Sequence, residues 1–414
     1  MKNLIERSLL ASFFIFLTFA STSQSIGNSA YNVFGIGTLE QTGLVPYEAM
    51  GYAALGSRPM DMVNLKNPAA LNSIRGFTQI FDVGVTFSNL TQSANDDSFN
   101  SSFGGIHDLN YWFRASPRTA LSLGIAKFSD ASYDILDSQS GSNSSGRSDS
   151  RHIGEGGSSE VYLAGSYSIH KNFHLGLKTH FLFGSQDKDE VLSVSQPRTN
   201  LQIINEKSFV KALLEAGLQY EYQLGEAKSI VLGSTFRTGG SATVNQEELI
   251  ISDSGITTDT LSSQDDSDVY IPQKLGLGLG VNIKSWNVNL DYEFENWGSN
   301  KSQDGYTYRD RFITSVGAQF IKDRFSEKLI ERIAFRFGGG IHSNYVSIDN
   351  EDFISQYYTA GIGIPINRSA ASLNLSYQFY STGTTSSNLI RETASTLSFS
   401  VIIRDVWFRK RAYD

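Results

Sequence analysis

Short segments in which apolar and polar side chains alternate fill almost the whole chain from residue 77 onward, and this pattern restricts the fold more than any other feature. In Ala371 to Phe379 the odd positions Ala371, Leu373, Leu375, Tyr377 and Phe379 are apolar, while Ser372, Asn374, Ser376 and Gln378 are polar. An extended strand points successive side chains to opposite faces, so each segment has one face for lipid or a core and one for water. The same parity recurs in Leu121 to Ile125, Phe173 to Phe181, Leu275 to Ile283, Trp286 to Phe294, Ile333 to Ile341 and Leu397 to Ile403. A single alternating strand fits a soluble sandwich equally well. A long series of them predicts an all-β, antiparallel transmembrane barrel.

The connections between segments alternate in length and charge. Long polar ones fall near 91–101, 129–157, 185–207, 240–268, 298–308, 344–355 and 381–391, and carry Asp96, Asp97, Asp265, Asp266, Asp268, Asp304, Asp349, Glu351 and Asp352. Short ones fall near 115–118, 170–172, 224–228, 284–285, 321–331 and 366–370, and carry Arg118, Lys171, Lys228, Lys284 and Arg368. Seven long and six short connections require fourteen strands. Bacterial barrels keep long loops outside and short turns in the periplasm, so both ends of the barrel are expected on the periplasmic side. The Ser/Gly/Asn tract Ser138 to Ser150 reads as a solvated surface loop, having nothing to bury.

The first residues read as an export leader: Lys2 and Arg7 open it, Ser8 to Phe19 is apolar, and small residues follow over Ala20 to Ser25. No stretch has the apolar length of a spanning helix, so membrane insertion must use strands. With no cysteine there is no disulfide framework and no thiol-ligated metal. The expected organisation is a leader over 1–25, an N-terminal plug or hatch over 26–76, the barrel over 77–406 and a basic periplasmic tail over 407–414. The expected location is the bacterial outer membrane, in contact with its lipid and lipopolysaccharide.

The segment from Ile26 to Arg75 does not alternate, yet it is rich in large apolar residues, including Phe34, Leu44, Met50, Met60 and Met62. Every methionine after Met1 lies here. Such a segment needs cover, and the lumen is the nearest. Its methionines either line an adaptable apolar pocket or pack the plug against the wall, and the sequence leaves both open. Trp112, on an early strand, is a further candidate for the pocket.

The run Met60 to Leu71 contains Asn67-Pro68-Ala69 just before the first strand, and Phe34-Gly35-Ile36-Gly37 lies upstream. Together they resemble the hatch of the FadL-type outer-membrane long-chain fatty-acid transporters, in the form found in Bacteroidetes-like bacteria. Proline fixes its own φ and pushes Asn67 toward extended backbone, which suits a sharp entry from plug to wall. The resemblance implies passive uptake of small hydrophobic molecules such as fatty acids, with Phe34, Leu44, Met50, Met60, Met62, Asn67, Pro68, Ala69 and Trp112 as ligand or hatch residues. FadL-like barrels also serve as non-transporting subunits of outer-membrane machines, in type IX secretion or barrel assembly. In that alternative the partners are other outer-membrane proteins.

The inward parity collects charge: Asp108 and Arg114 on one strand, Arg237 on another, and the row Asp291, Glu293, Glu295 on a third. The row is expected to pair with facing arginines, Arg114 or Arg237, and to hold the plug. Gly276-x-Gly278-x-Gly280 lies on an inward strand face, where small residues leave room for plug or ligand. His174 and His180 are about 20 Å apart along a strand, too far to share a metal. No Gly-x-Ser-x-Gly elbow, metal constellation or cofactor motif is present, and basic residues form no nucleic-acid face. No catalytic activity is expected.

Overall fold

The computed structural model describes residues 28–76, 78–94, 97–140, 147–195, 198–252, 269–300, 305–348, 350–366, 370–385 and 389–406. The leader read over 1–25, the tail 407–414 and the acidic residues Asp96, Asp265, Asp266, Asp268, Asp304 and Asp349 lie outside the described residues, as does Arg368.

Fourteen antiparallel strands form the wall. They are β1 (Thr78–Ala94), β2 (Asp97–Arg114), β3 (Thr119–Asp130), β4 (Arg147–His170), β5 (Phe173–Ser195), β6 (Arg198–Gly225) and β7 (Lys228–Arg237), then β8 (Lys274–Ile283), β9 (Trp286–Glu295), β10 (Arg311–Phe320), β11 (Ala334–Ser343), β12 (Ile354–Ile366), β13 (Ala371–Thr382) and β14 (Arg391–Val406). Each pairs with its neighbour in sequence. The first and last close the sheet, from Thr78 opposite Val406 to Ser93 opposite Arg391. Closure removes the free edges that an open sheet would present to lipid.

The alternation sorts as physical chemistry requires. Leu123, Leu163, Leu177, Leu277, Leu290 and Val316 face outward and exposed, forming an apolar belt, while Lys178, Gln219, Asn289, Ser315 and Asn374 face the lumen and are buried. Trp286 packs on Phe320 at the short-turn end, with ring centroids 4.9 Å apart, and Phe294 meets Phe312 toward the long-loop end. Aromatic side chains at both rims of an apolar belt are the usual arrangement of a barrel in a bilayer.

The short turns among the described residues fall where expected, at 115–118, 171–172, 226–227, 284–285 and 321–333. Several long loops do not stay loops. Tyr133–Ser140 pairs with the start of β4, and Thr243–Ser252 pairs with β6, so both extend the same sheet past the rim. The tract Ser138 to Ser150, read as a solvated loop, is therefore strand at 138–140 and from 147 onward. Backbone pairing needs no burial: Arg151 and Asp134 reinforce that hairpin with an exposed ion pair at 2.6 Å.

Inside the wall runs residues 28–76. At the long-loop end the backbone N–H of Ala30 donates to Glu392 on β14, 2.8 Å away. At the short-turn end Arg114 on β2 donates to the carbonyls of Asn72 and Ile74, just before the chain enters β1. Between these points the segment crosses the lumen. The main apolar core lies here, where Leu44, Tyr47, Met50, Met62, Leu65 and Leu71 pack against Trp112, Tyr162 and Ile402 of the wall. Each such side chain contributes on the order of 1.5–3 kcal/mol relative to exposure.

Candidate functional site: a filled lumen with a cavity at a wall seam

The inner segment is fastened by close backbone approach and by buried charge. Gly278 and Gly280 on β8 face Leu55 and Gly56, so close that a Cβ on either glycine would run into the segment. The inward glycine row thus makes room for the plug. Asn67 sits against β6 and β7: its side chain accepts from Ala69 N at 3.0 Å and donates to Leu55 O at 3.0 Å. It caps the short helix Pro68–Ser73, with proline at the first helical position, where its missing N–H costs nothing.

The carboxylate row on β9 has partners other than those expected. Lys66 Nζ lies 2.6 Å from Glu293 and 3.4 Å from Asp291. Lys274 on β8 is 2.5 Å from Glu293, and Arg311 on β10 is 3.5 Å from Glu295. Asp291 also accepts the backbone N–H groups of Ala54, at 2.7 Å, and Leu55, at 2.9 Å. Arg114 is remote from the row and holds the end of the inner segment. Arg237 contacts the Phe128 ring at 5.8 Å and influences Glu295 only through its charge. The reason is register: Arg237 lies opposite Lys274, and Lys274 opposite Glu295, which puts the lysine between them. Burial acts to lower the Lys66 pKa, and the charges of Glu293 and Asp291 more than reverse it, so the ammonium is held firmly protonated.

Two further polar groups surround charges that inward parity marks, Glu215 and Asp108, with partners the sequence did not reveal. On β4, β5 and β6, Glu160 is 3.0 Å from Lys178 and 2.6 Å from His180, which also reaches Glu215 at 3.2 Å. On β2, His107 lies between Asp108, at 2.5 Å, and Glu48 of the inner segment, at 3.5 Å. Inward parity alone signals the first set. The second is hidden by a bulge: the register with β1 shifts between Gly84 and Val85, so that His107 and Asp108 share one side. His174, by contrast, shares a hydrogen bond with Ser168 Oγ at 2.9 Å.

A cavity of about 460 Å³ lies in the long-loop half of the lumen. Leu39, Leu44, Tyr52 and Leu65 line it from the inner segment, and Leu90, Phe103, Ile106, Phe128, Tyr162 and Tyr380 from the wall. Of the ligand residues expected from sequence, Leu44 reaches it. Phe34 instead packs edge-on against Tyr306, centroids 5.5 Å apart. Met50 is fully buried against Gly317 and Gly338, Met62 is buried near Arg336, and Met60 is 48% exposed. Asn67, Pro68 and Ala69 are buried against the wall, and Trp112 is fully buried with its indole N–H on Leu71 O at 3.0 Å. Of the two roles left open for the methionines, Met50 and Met62 occupy packing positions.

The cavity borders a break in the wall. β2 pairs with β3 only over Asp108–Arg114, opposite Ala120–Ala126. Beyond that the β3 edge is taken by the inner segment itself, with Thr38 opposite Asp130, Leu39 opposite Ser129, and Glu40 N donating to Phe128 O at 3.0 Å. Phe103 to Asp108 and Ala126 to Asp130 therefore flank a seam and line the cavity from both sides. Ile106 at this seam is 67% exposed.

A family model described as BamG matches residues 4–414. The chain belongs to the BamG family. No curated protein matches this BamG-family chain. Among solved structures it is similar to the toluene transporter TbuX of Ralstonia pickettii, at 16% identity and a TM-score of 0.56, covering 88% of this chain and 99% of that one. It is similar to the toluene transporter TodX of Pseudomonas putida at 15% identity and 0.56, covering 90% and 100%. A FadL homologue of Pseudomonas aeruginosa gives 12% identity and 0.54, covering 90% and 100%. These likenesses show a shared fold.

Proposed function

We propose that this BamG-family chain is an outer-membrane barrel that binds and passes a small hydrophobic molecule. The cavity of about 460 Å³ carries the reading, because it sets apolar and aromatic side chains, Leu39, Phe103, Ile106 and Phe128 among them, beside polar groups and borders the seam between β2 and β3. A site of this size suits a small ligand. In the proposed arrangement residues 1–25 are a removed leader and 26–76 a plug. The long loops face outward, and the short turns and tail 407–414 face the periplasm. The ligand enters from the long-loop end, rests in the cavity and leaves sideways at the seam or past a displaced plug. No step needs a catalyst. The solved relatives named as toluene transporters support a hydrophobic ligand. The test is equilibrium binding of an uncharged apolar probe to the purified full chain in nonionic detergent. Saturable binding that weakens in Leu44→Asp and Phe128→Asp is expected; no saturable binding would overturn the reading.

A second reading has its own observation. The matching family model is described as BamG rather than as a transporter, and the short-turn half of the lumen is filled by tightly packed backbone. The connection 321–333 also leaves Phe325 89% and Ile330 66% exposed at the same end. A non-transporting subunit of an outer-membrane machine, in barrel assembly or type IX secretion, would use such a surface. Stoichiometric outer-membrane partners on purification from native membranes would favour it, and an isolated barrel would count against it.

A further inference from the structure

We infer that the cavity takes an apolar molecule bearing a cationic amine headgroup rather than a carboxylate. The inference deepens the proposed function and rests on it. It comes from the charges that line the space. Six carboxylates do so, those of Glu40, Glu48, Asp108, Asp130, Glu160 and Glu392, against two fixed cations, Lys127 and Arg311, and the imidazole of His107. Both cations are committed: Lys127 pairs with Asp130, and Arg311 with Glu295. A carboxylate ligand would therefore enter a negative enclosure with no uncommitted lysine or arginine among the described lining residues.

Asp130 has Lys127, and Glu160 has Lys178 and His180, but Glu48, Asp108 and Glu392 are under-supplied. Glu392 is 2% exposed and among the described residues meets only neutral donors, Ser29 Oγ at 2.7 Å, Ala30 N at 2.8 Å and Gln92 Nε2 at 2.9 Å. Glu48 and Asp108 are 1% and 2% exposed and share the single ring of His107. Glu48 Oε1 accepts from Ser398 Oγ at 3.0 Å, but Glu48 Oε2 and Asp108 Oδ2 have no hydrogen-bond partner among the described residues. Buried acceptors left without donors are costly and rare, and a cationic donor held in the cavity beside them offsets that cost. An ammonium carries three donors and the compensating charge. Leu39, Phe103 and Phe128, half-buried in the same lining, leave apolar surface for a chain or ring.

The test compares decylamine, decanol and decanoate as displacers of a neutral fluorescent apolar probe, at neutral pH and low salt, with the purified full chain in nonionic detergent. The expected order is amine, then alcohol, then carboxylate, with the outer two separated by about tenfold or more. Glu48→Gln should bring the amine toward the alcohol and leave the alcohol unchanged. If that variant does not fold, raising the salt concentration with the native chain should narrow the gap between amine and carboxylate. Equal affinities, or a preference for decanoate, would overturn the headgroup assignment while leaving a hydrophobic site in place. Failure of all three to displace the probe would overturn the cavity reading and this inference with it.

Discussion

Lys66 and Glu293 stand 2.6 Å apart in the middle of the lumen, their side chains 4% and 2% exposed, and they join a segment preceding the barrel to the ninth strand of its wall. A buried pair of this kind adds little over a well-packed apolar pair, but losing one partner leaves an uncompensated charge. Lys66→Met should therefore destabilise the chain by about 3–5 kcal/mol. Lys66→Met with Glu293→Leu should recover most of the loss. Thermal unfolding in detergent reads both; a Lys66→Met variant as heat-resistant as the native chain would mean that the pair holds nothing together.

The close approach of Gly280 to Gly56 gives a way to move the plug without deleting it. Gly280→Val has no room for its side chain unless the inner segment shifts. Passage of small polar solutes in a liposome-swelling assay should rise, as it should in a chain lacking residues 26–65. Folded variants with unchanged permeability would show that the segment does not block the lumen.

Glu48 makes stability depend on pH. Burial pushes its carboxyl above the ordinary range, and the charge of His107 opposes that, while Glu40 adds to it. A carboxyl raised in the folded state contributes stability that is full below its unfolded pKa and lost as pH climbs through the folded value. Asp108 faces the same imidazole, so His107 compensates Glu48 only in part. Glu48→Gln should accordingly stabilise the chain relative to the native form above about pH 5, with the gain widening toward pH 8 and absent near pH 4. Melting curves across that range check it; a gain confined to acid would reverse the sign.

Orientation is open to a direct probe. An epitope inserted in the connection between β4 and the strand Tyr133–Ser140 should be reachable on intact cells, and one inserted at Lys284 should be protected. The converse labelling would invert the barrel.

The wall was legible because its signal is local: parity in Ala371 to Phe379 or Leu275 to Ile283 survives without knowledge of any neighbour. Short turns were legible for the same reason. The partners of Asp291, Glu293 and Glu295 were not, since Lys66 lies far away in sequence and Arg311 owes its place to register across strands. Composition marked the inner segment as needing cover but could not tell lining from packing. Leu44 and Met50 look alike as apolar residues six apart, yet one reaches the cavity and the other fills a hollow made by Gly317 and Gly338. His107 escaped because a bulge breaks the parity that made its neighbours readable.

Thr38 and Leu39, paired with Asp130 and Ser129, make this part of the inner segment a short fifteenth stave of the wall. Any movement that withdraws those two residues strips hydrogen bonds from the rim of β3 just where the barrel has no other stave to offer. The bare amides and carbonyls would seek a replacement, and the nearest is the strand that has left. Were the seam to open, re-pairing of these two residues would favour closure, and a foreign extended peptide able to occupy the same two positions would hold it ajar.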